Sequence, residues 1–474
     1  MNLIAILNFI DYQEFSNILD MLLALNMGLI CTLGFFRILF ASRFIATDHS
    51  TEVNEEPFIS VHLAICNEPP SIVINTINSI LNQNYQNFEL VIISNNTTNS
   101  ASYEPVQKFA ADHKKKIKFY HLNKVKGFKA GALNIALSKT NPKSNYIFTV
   151  DADYELKPQA LVIAVRSINV QNVEVLQFPQ DYRNLCTSTV GLKLHYKHYF
   201  ECYLFSKESQ KFGLPTGTLT LINYELFKDG MRWPTSTITE DAHFGIEVLS
   251  KDFKIGFCNI SVGKGTMPTT LNDYNKQLKR WVFGNFQTLV LLIKKDFNLI
   301  KKLRLLTMLS AWVNLLALPF IAMLVVMVVS LYSIESINVT LILVFSSILL
   351  HLLFQYYLLF ITAKRNISDA FKALLVHIGT LEIGSFYWLL YFKNKEKPFV
   401  RTNKYIVSSA FSIGFFILPI TIFFFAILSL LLGHKLIGLC FLSISVLIIL
   451  GKLRLISEIF HSKFNYSRLI ESSI

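Results

Sequence analysis

Three short polar motifs hold the side chains of this sequence that are best suited to chemistry. In chain order they are Asp151-Ala152-Asp153, Thr239-Glu240-Asp241 and Gln277-Leu278-Lys279-Arg280-Trp281. They supply a pair of acids for a metal ion, a candidate base, and a cation beside an aromatic platform. We therefore expect a reaction in which a sugar moves from a nucleotide to an acceptor hydroxyl.

The acid pair Asp151 and Asp153 follows directly after a strand candidate, residues 146–150. Two carboxylates this close together are costly unless a cation neutralises them. Mg²⁺ or Mn²⁺, bound by one or two carboxylates and by substrate phosphates, is the expected arrangement for a hard cation. A solvated acidic turn at the end of a strand is the alternative for an isolated pair of this kind.

The second motif precedes an apolar, helix-like run. Thr239 or Asp241 could therefore serve only as a helix N-cap. The functional interpretation is that Asp241 takes the proton from the attacking hydroxyl, which requires a carboxylate within hydrogen-bond reach.

In the third motif, Gln277, Arg280 and Trp281 share one face of a helix-like stretch. An arginine there can bind a leaving diphosphate in forked geometry, and the tryptophan offers a flat face to a sugar ring. The alternative is an interfacial helix whose arginine meets lipid phosphate and whose tryptophan lies in the aromatic belt of the membrane.

The elements that must position these motifs alternate between strand-like and helix-like stretches. The strand candidates are Ile59–Ile65, Phe88–Ser94, Ile117–Leu122, Tyr146–Val150 and Val173–Phe178. The helix candidates are Pro70–Leu81, Glu104–Lys114, Lys129–Ser138 and Pro158–Ile168. This alternation predicts an α/β fold with an open, mostly parallel sheet, which binds ligands at the carboxyl ends of its strands.

The rest of the chain is apolar enough for a membrane. Hydrophobic residues make up 52% of the 474 residues, and the excess lies in residues 16–44 and beyond Leu303. The net charge of +13 is explained by basic residues that flank the spans and face anionic lipid. No nucleic-acid partner is expected, because the basic residues are scattered. The six cysteines show no CxxC spacing and are expected to be reduced, buried residues.

Four regions follow from this pattern. They are an N-terminal transmembrane segment (1–48), an α/β domain (49–270), an interfacial helix region (271–302) and a transmembrane region (303–474). About five crossings are expected, and the segment at 371–392 is interpreted as interfacial or re-entrant. The expected spans are Asn17–Phe40, Leu306–Tyr332, Ile337–Thr362, Val407–Leu432 and Leu436–Leu450. Arg37 and Arg43 place the α/β domain in the cytoplasm of a multi-pass protein of the inner or plasma membrane.

The order D-x-D, T-E-D, Q-x-x-R-W between membrane segments resembles the membrane-embedded family 2 glycosyltransferases. These are the β-glycan synthases of the cellulose and hyaluronan synthase type and their bacterial glucan-synthase relatives. The resemblance runs from Glu56 to Lys404. Further matches are Asn67-Glu68-Pro69-Pro70, residues 127–134, residues 177–182, and Phe399-Val400-Arg401-Thr402-Asn403-Lys404, which is similar to the family's F-x-x-T-x-K gating loop.

The resemblance implies a GT-A-like domain with an α-helical transmembrane bundle. It further implies an inverting, UDP-sugar-dependent hexosyltransferase that adds a sugar, glucose first among candidates, to a growing β-glycan and exports it. Its implied catalytic residues are Asp241, Glu240, Arg280, Gln277 and Trp281. Its implied nucleotide-binding residues are Glu68, Ser94, Lys129, Asp151, Thr402 and Lys404. Asp151 and Asp153 are its implied ligands of Mg²⁺ or Mn²⁺.

One departure from the family lies at the end of the second strand, where an aspartate normally contacts the nucleotide. Here the run is Ser94-Asn95-Asn96-Thr97, which can hydrogen-bond a uridine but supplies no negative charge. This departure motivates one alternative, a non-catalytic partner subunit or transport component that has lost nucleotide binding. A second alternative keeps the chemistry but makes a single transfer to a lipid acceptor. The sequence identifies no accessory subunit. His195 and His198 are expected on the surface of a soluble helix rather than at a metal.

Overall fold

A computed structural model of the protein describes residues 12–41, 56–204, 211–329, 338–395 and 413–471. Two sheets lie within residues 59–265. The strands are β1 (Ile59–Ile65), β2 (Phe88–Asn95), β3 (Ile117–Leu122), β4 (Tyr146–Asp151), β5 (Glu155–Leu156), β6 (Val175–Gln177), β7 (Asp181–Tyr182), β8 (Thr220–Asn223), β9 (Ile255–Phe257) and β10 (Gly263–Gly265).

The larger sheet has the strand order β3-β2-β1-β4-β8-β6-β9. All neighbours pair in parallel except β8, which runs antiparallel to β4 and β6. The carboxyl ends of β1, β2 and β4 therefore meet at one edge, where Asp151 pairs with Ala64. The smaller sheet, β5-β10-β7, extends the structure beyond that edge.

Helices cover both faces of the larger sheet, so its central strands are apolar on both sides. Leu63 and Leu90 pack with Val73 on one face, while Val91 packs with Ala132 on the other. The helices of this domain are Pro70–Leu81, Ser100–Asp112, Phe128–Lys139, Ala160–Gln171, Val190–His198, Glu225–Lys228 and Glu240–Ser250, with 3₁₀ turn Thr187–Thr189 and π-helical turn Tyr199–Leu204. The predicted GT-A-like, mostly parallel α/β fold is confirmed.

The predicted elements agree closely with the structure. Strands β1 and β3 and the helix Pro70–Leu81 have the predicted bounds. The strand expected at 173–178 is shorter, because only Val175–Gln177 pair with neighbours. The remaining predicted strands and helices differ from the structure by a few residues at their ends.

The apolar regions form long helices around the domain. They are Tyr12–Phe40, Leu271–Ile293, Leu299–Leu309, Ala317–Val329, Asn338–Thr362, Ile367–Ile378, Leu381–Phe386, Leu390–Lys393, Ile417–Leu431 and Lys435–Glu471, with 3₁₀ turns Tyr387–Leu389 and Ile413–Phe416. Among the described residues, four helices are long and apolar enough to cross a membrane. The bent pair within 367–393, with an angle of 54°, would make a fifth if it counts as one span. This bend agrees with the interfacial or re-entrant interpretation.

The prediction of a single span over Leu306–Tyr332 is wrong. The structure divides this stretch into Leu299–Leu309 and Ala317–Val329. The buried guanidinium of Arg37 donates to the carbonyl oxygens of Ser310 and of Val313 (3.0 Å) at the break. A charged donor from a neighbouring helix thus satisfies carbonyls that leave the helical pattern.

The last helix, Lys435–Glu471, is longer than the span predicted at Leu436–Leu450. Beyond residue 450 it packs on the α/β domain. The Glu458 carboxylate accepts the backbone N–H groups of Gly191 (3.2 Å) and Leu192 (2.6 Å). It therefore caps the helix Val190–His198 from outside, since the first amides of a helix have no partner within it.

Candidate active site

A cavity of about 400 Å³ opens at the carboxyl ends of β1, β2 and β4. This is the edge at which an open α/β sheet binds its ligands. The cavity brings together nine predicted site residues: Glu68, Lys129, Asp151, Asp153, Glu240, Asp241, Gln277, Arg280 and Trp281.

Lys129 lies at the centre of the acidic wall. Its Nζ is 2.5 Å from Asp151 Oδ1 and 3.8 Å from Glu240 Oε1, and it donates to the Gly217 carbonyl oxygen at 2.8 Å. Burial lowers the pKa of Lys129, but the charges of Asp151 and Glu240 outweigh it and raise the pKa above its ordinary value. The lysine therefore stays cationic where a diphosphate would need positive charge.

Asp151 and Asp153 fit a divalent cation that shares its coordination with a substrate. Asp153 is 7% exposed, and its Oδ2 accepts the backbone N–H of Thr266 at 2.9 Å. The Asp151 side chain is 33% exposed in the cavity wall. No group of three or more His, Cys, Asp or Glu with metal-binding geometry occurs among the described residues. Two carboxylates completed by phosphate oxygens are the usual protein site for Mg²⁺.

Asp241 lies in the first turn of the helix Glu240–Ser250. Its Oδ1 accepts the N–H of Ala242 at 2.8 Å. Burial, followed by the charge of Glu240, raises the pKa of Asp241 to about 7, although Lys129 opposes this rise. A carboxyl with that pKa is suited to accept a proton near neutral pH.

The structure does not show capping of this helix by the Thr239 side chain. Thr239 is the N-cap residue of the helix, but its side chain makes no capping hydrogen bond. Nearby, Gly217 has a φ of +76°, and a Cβ there would lie 2.9 Å from Asp241 Oδ2. A glycine at 217 thus lets the backbone approach the carboxylate.

The helix Leu271–Ile293 forms the opposite wall. Gln277 Oε1 accepts a hydrogen bond from the Tyr196 hydroxyl at 3.1 Å. The Trp281 ring packs 5.2 Å from Trp312 and 5.4 Å from Tyr196, measured between ring centroids. Trp281 thus belongs to an aromatic cluster at the cavity, as the sugar-platform interpretation expects.

Ser94 is not part of the cavity lining. It is fully buried, and its Oγ is 3.1 Å from His121 Nδ1. Asn95, the next residue, lines the cavity instead. The structure thus places Asn95 rather than Ser94 at the cavity, because successive residues of a strand point to opposite faces. The nucleotide contact expected of Ser94 stays a prediction.

Sequence reasoning also missed Gln180, Tyr182 and Thr216 as lining residues. The Tyr182 hydroxyl donates to Gln180 Oε1 at 3.0 Å, and Gln180 Nε2 donates to the Thr216 carbonyl at 3.0 Å. The sequence indicated two of these residues in part, since Gln180 and Tyr182 lie within residues 177–182, which match a motif of the family. Thr402 and Lys404 lie outside the described residues.

His195 and His198 are buried rather than on a helix surface, so that prediction is wrong. His195 Nε2 is 3.3 Å from His377 Nδ1, and His198 Nε2 is 3.3 Å from Gln355 Nε2. The helices that carry His377 and Gln355 come from the apolar half of the chain and cover this surface.

Comparison with protein families gives one match at this domain. Residues 57–284 match the model described as "Glycosyltransferase like family 2". A poly-beta-1,6-N-acetyl-D-glucosamine synthase of Staphylococcus epidermidis is 25% identical over 236 residues, which is 49% of this chain and 55% of the relative. A probable glucomannan 4-beta-mannosyltransferase of Oryza sativa subsp. japonica is 27% identical over 202 residues, 39% of this chain and 34% of the relative. The chain thus spans about half or less of the length of these two relatives.

Among solved structures, a mannosyltransferase of Pyrobaculum calidifontis in complex with GDP-Man and Mn²⁺ is similar, with a TM-score of 0.51. It is 17% identical, and the match covers 76% of this chain and 99% of that chain. At this identity the likeness concerns the fold alone.

Proposed function

Since residues 57–284 are a glycosyltransferase family 2 domain, we propose that the protein transfers a hexose from a nucleoside diphosphate sugar to an acceptor hydroxyl. The observation that carries this proposal is the cavity lined by Lys129, Asp151, Asp241 and Arg280 together. It combines a base with a raised pKa and cations for a leaving diphosphate. UDP-glucose is the proposed first donor.

The proposed reaction is one direct displacement. Asp241 accepts the proton of the acceptor hydroxyl while that oxygen attacks the anomeric carbon. The bond to the diphosphate breaks on the opposite face of the sugar, so the configuration inverts. Arg280 and Lys129 face the negative charge that develops on the leaving group.

Asp151 and Asp153 are the proposed holders of Mg²⁺ or Mn²⁺. A divalent cation there would neutralise the diphosphate and lower the cost of its departure. The Mn²⁺ of the similar mannosyltransferase supports this assignment.

The proposed acceptor is a growing β-glycan. The two relatives described above are a polysaccharide synthase and a probable glucomannan mannosyltransferase. The aromatic cluster of Trp281, Trp312 and Tyr196 offers the flat apolar faces that sugar rings contact. The four candidate spans support a multi-pass membrane protein. The proposal places its domain in the cytoplasm, where nucleotide sugars are found. Export of the polymer through the membrane is part of the proposal.

The test is transfer by purified protein in lipid vesicles, with radiolabelled UDP-glucose, UDP-GlcNAc and GDP-mannose supplied in parallel. We expect label from UDP-glucose in a long product that a β-glucanase degrades. Asp241→Asn is the matched control, and it should bind the donor but transfer nothing. A short lipid-linked product would replace the polymer acceptor by a lipid. No transfer from any donor by the wild-type protein would refute the proposal.

A further inference from the structure

Gln287 lies outside every motif considered above, on the helix that carries Gln277, Arg280 and Trp281. Its side chain is buried, with 5% exposed. The Oε1 atom accepts the backbone N–H of Ile238 at 3.1 Å. The Nε2 atom donates to the Lys395 carbonyl oxygen at 2.8 Å. One amide therefore joins two segments that are far apart in the sequence.

The helix also touches the residues before the base directly. A Cβ at Gly284 would lie 2.6 Å from Thr239 Cγ2 and 2.9 Å from Ile238 Cγ1. The missing side chain thus allows close contact between the helix and this segment. Ile238 and Thr239 themselves line the cavity.

The position of Asp241 depends on this segment. Thr239 lacks a side-chain capping bond, so the start of the helix Glu240–Ser250 is not fixed by its own N-cap. The bond from Ile238 N–H to Gln287 fixes the backbone three residues before Asp241. A reacting carboxylate must be held to well within 1 Å for full activity.

The other end of the amide reaches the bent helices. Lys395 lies two residues after the helix Leu390–Lys393, and the Phe286 ring packs 5.0 Å (centroid to centroid) from Trp388 in the preceding turn Tyr387–Leu389. The same side chain therefore connects the base segment to the apolar region that packs beneath the cavity.

We propose that Gln287 is a positioning residue for the base Asp241, and that it holds the backbone at Ile238 against the bent helices. This inference rests on the proposed glycosyltransferase function. Gln287 does not line the cavity. It acts through the Ile238-Thr239-Glu240-Asp241 segment.

The variants are Gln287→Met, which keeps the size but loses both hydrogen bonds, and Gln287→Glu, which keeps an oxygen to accept the Ile238 N–H. The matched control is Gln171→Met. Gln171 is also a buried helical glutamine, 7% exposed, and its Nε2 donates to the Phe257 carbonyl at 3.0 Å away from the cavity.

We expect Gln287→Met to lower kcat roughly 10- to 100-fold with the donor KM and the UDP affinity unchanged. Gln287→Glu should recover part of that loss. Hydrogen–deuterium exchange of the peptide that contains Ile238 to Asp241 should rise in Gln287→Met while other core peptides stay protected. Gln171→Met should leave both the kcat and this peptide as in the wild type.

The results that would overturn the proposal are a normal kcat in Gln287→Met, or an equal loss with equal exchange in Gln171→Met. The second result would assign the effect to general stability. If the wild-type protein transfers no sugar from any donor, the proposed function fails. The exchange measurement would then still decide whether Gln287 holds the Ile238 segment.

Discussion

The raised pKa of Asp241 predicts how the activity depends on pH. Its carboxyl has a pKa of about 7, because burial and the charge of Glu240 both disfavour ionisation. Only the ionised form can accept a proton. Each pH unit below the pKa lowers the ionised fraction about tenfold. We therefore expect kcat to have an acid limb with its midpoint near pH 7 and about a tenth of its maximal value at pH 6.

Ionisation of Asp241 should raise the activity but lower the stability of the folded protein. The pKa of Asp241 is higher in the folded state than in the unfolded chain, so the bound proton stabilises the fold most at low pH. This contribution is lost as the pH rises through 7. The difference of about 3 pKa units sets an upper limit of about 4 kcal/mol, which water in the cavity reduces.

Asp241→Asn separates the two effects. The amide is neutral at every pH, and its oxygen can still accept the Ala242 N–H. We expect no transfer by this variant, but a higher unfolding temperature than the wild type at pH 8, a smaller difference at pH 5, and similar unfolding temperatures only below pH 3.8, the ordinary pKa of an aspartate. Glu240→Gln should move the acid limb of kcat to lower pH, since it removes a neighbouring charge.

The measurements are pre-steady-state transfer at about pH 4 to 8.5 and thermal unfolding at about pH 3.5 to 8.5. An acid limb with its midpoint below pH 5 would refute the raised pKa. So would an Asp241→Asn variant that is less stable than the wild type at pH 8. If Glu240→Gln left the midpoint in place, the stated cause of the raised pKa would be wrong.

Three further outcomes follow from the geometry. Asp153→Asn should keep the fold but lose cation-dependent UDP binding, measured by titration with Mg²⁺ and with EDTA; equal binding in both would contradict the metal site. Asn95→Asp should change the affinity for UDP, whereas Ser94→Asp should not tighten it, because Ser94 lies against His121. Tighter UDP binding by Ser94→Asp in calorimetry, with no change in Asn95→Asp, would indicate that Ser94 contacts the nucleotide. Gly217→Ala should lower the free energy of unfolding by roughly 1–2 kcal/mol, because the φ of residue 217 is +76°. It should also lower kcat, because the added Cβ would press on Asp241. Unchanged unfolding and activity would show that the backbone relaxes there.

Much of the α/β domain could be predicted from local sequence patterns. β-branched and aromatic runs marked β1 and β3, and the prolines at 69 and 70 marked the start of the helix that ends at Leu81. The acid pair was predictable as a site because it follows a strand, and parallel strands place their carboxyl ends at one edge.

The orientation of Ser94 and Asn95 could not be predicted in this way. Every residue of β2 is buried, so the strand lacks the alternation that would separate its two faces. The break after Leu309 was missed for another reason. Hydropathy measures a single segment, whereas this break depends on Arg37, which reaches it from a distant helix.

The burial of His195 and His198 also depends on long-range contacts. Their helix has the composition of a soluble surface, and residues distant in the sequence cover it, among them His377, Gln355 and Trp312. The role of Gln287 was invisible for the same reason, because its two partners are backbone atoms far away in the chain.

The docking of the last helix sets an order on the biosynthesis of this protein. Asn184 accepts the N–H of Met267 at 2.9 Å and donates to Ser462 Oγ at 2.7 Å. The amide of Thr266, next to Met267, holds Asp153. Ribosomes make the helix Lys435–Glu471 after every other described element, so the loop beside Asp153 obtains its contact with Ser462 only once that helix has been synthesised. A chain truncated before Ser462 therefore lacks this contact in the loop beside Asp153.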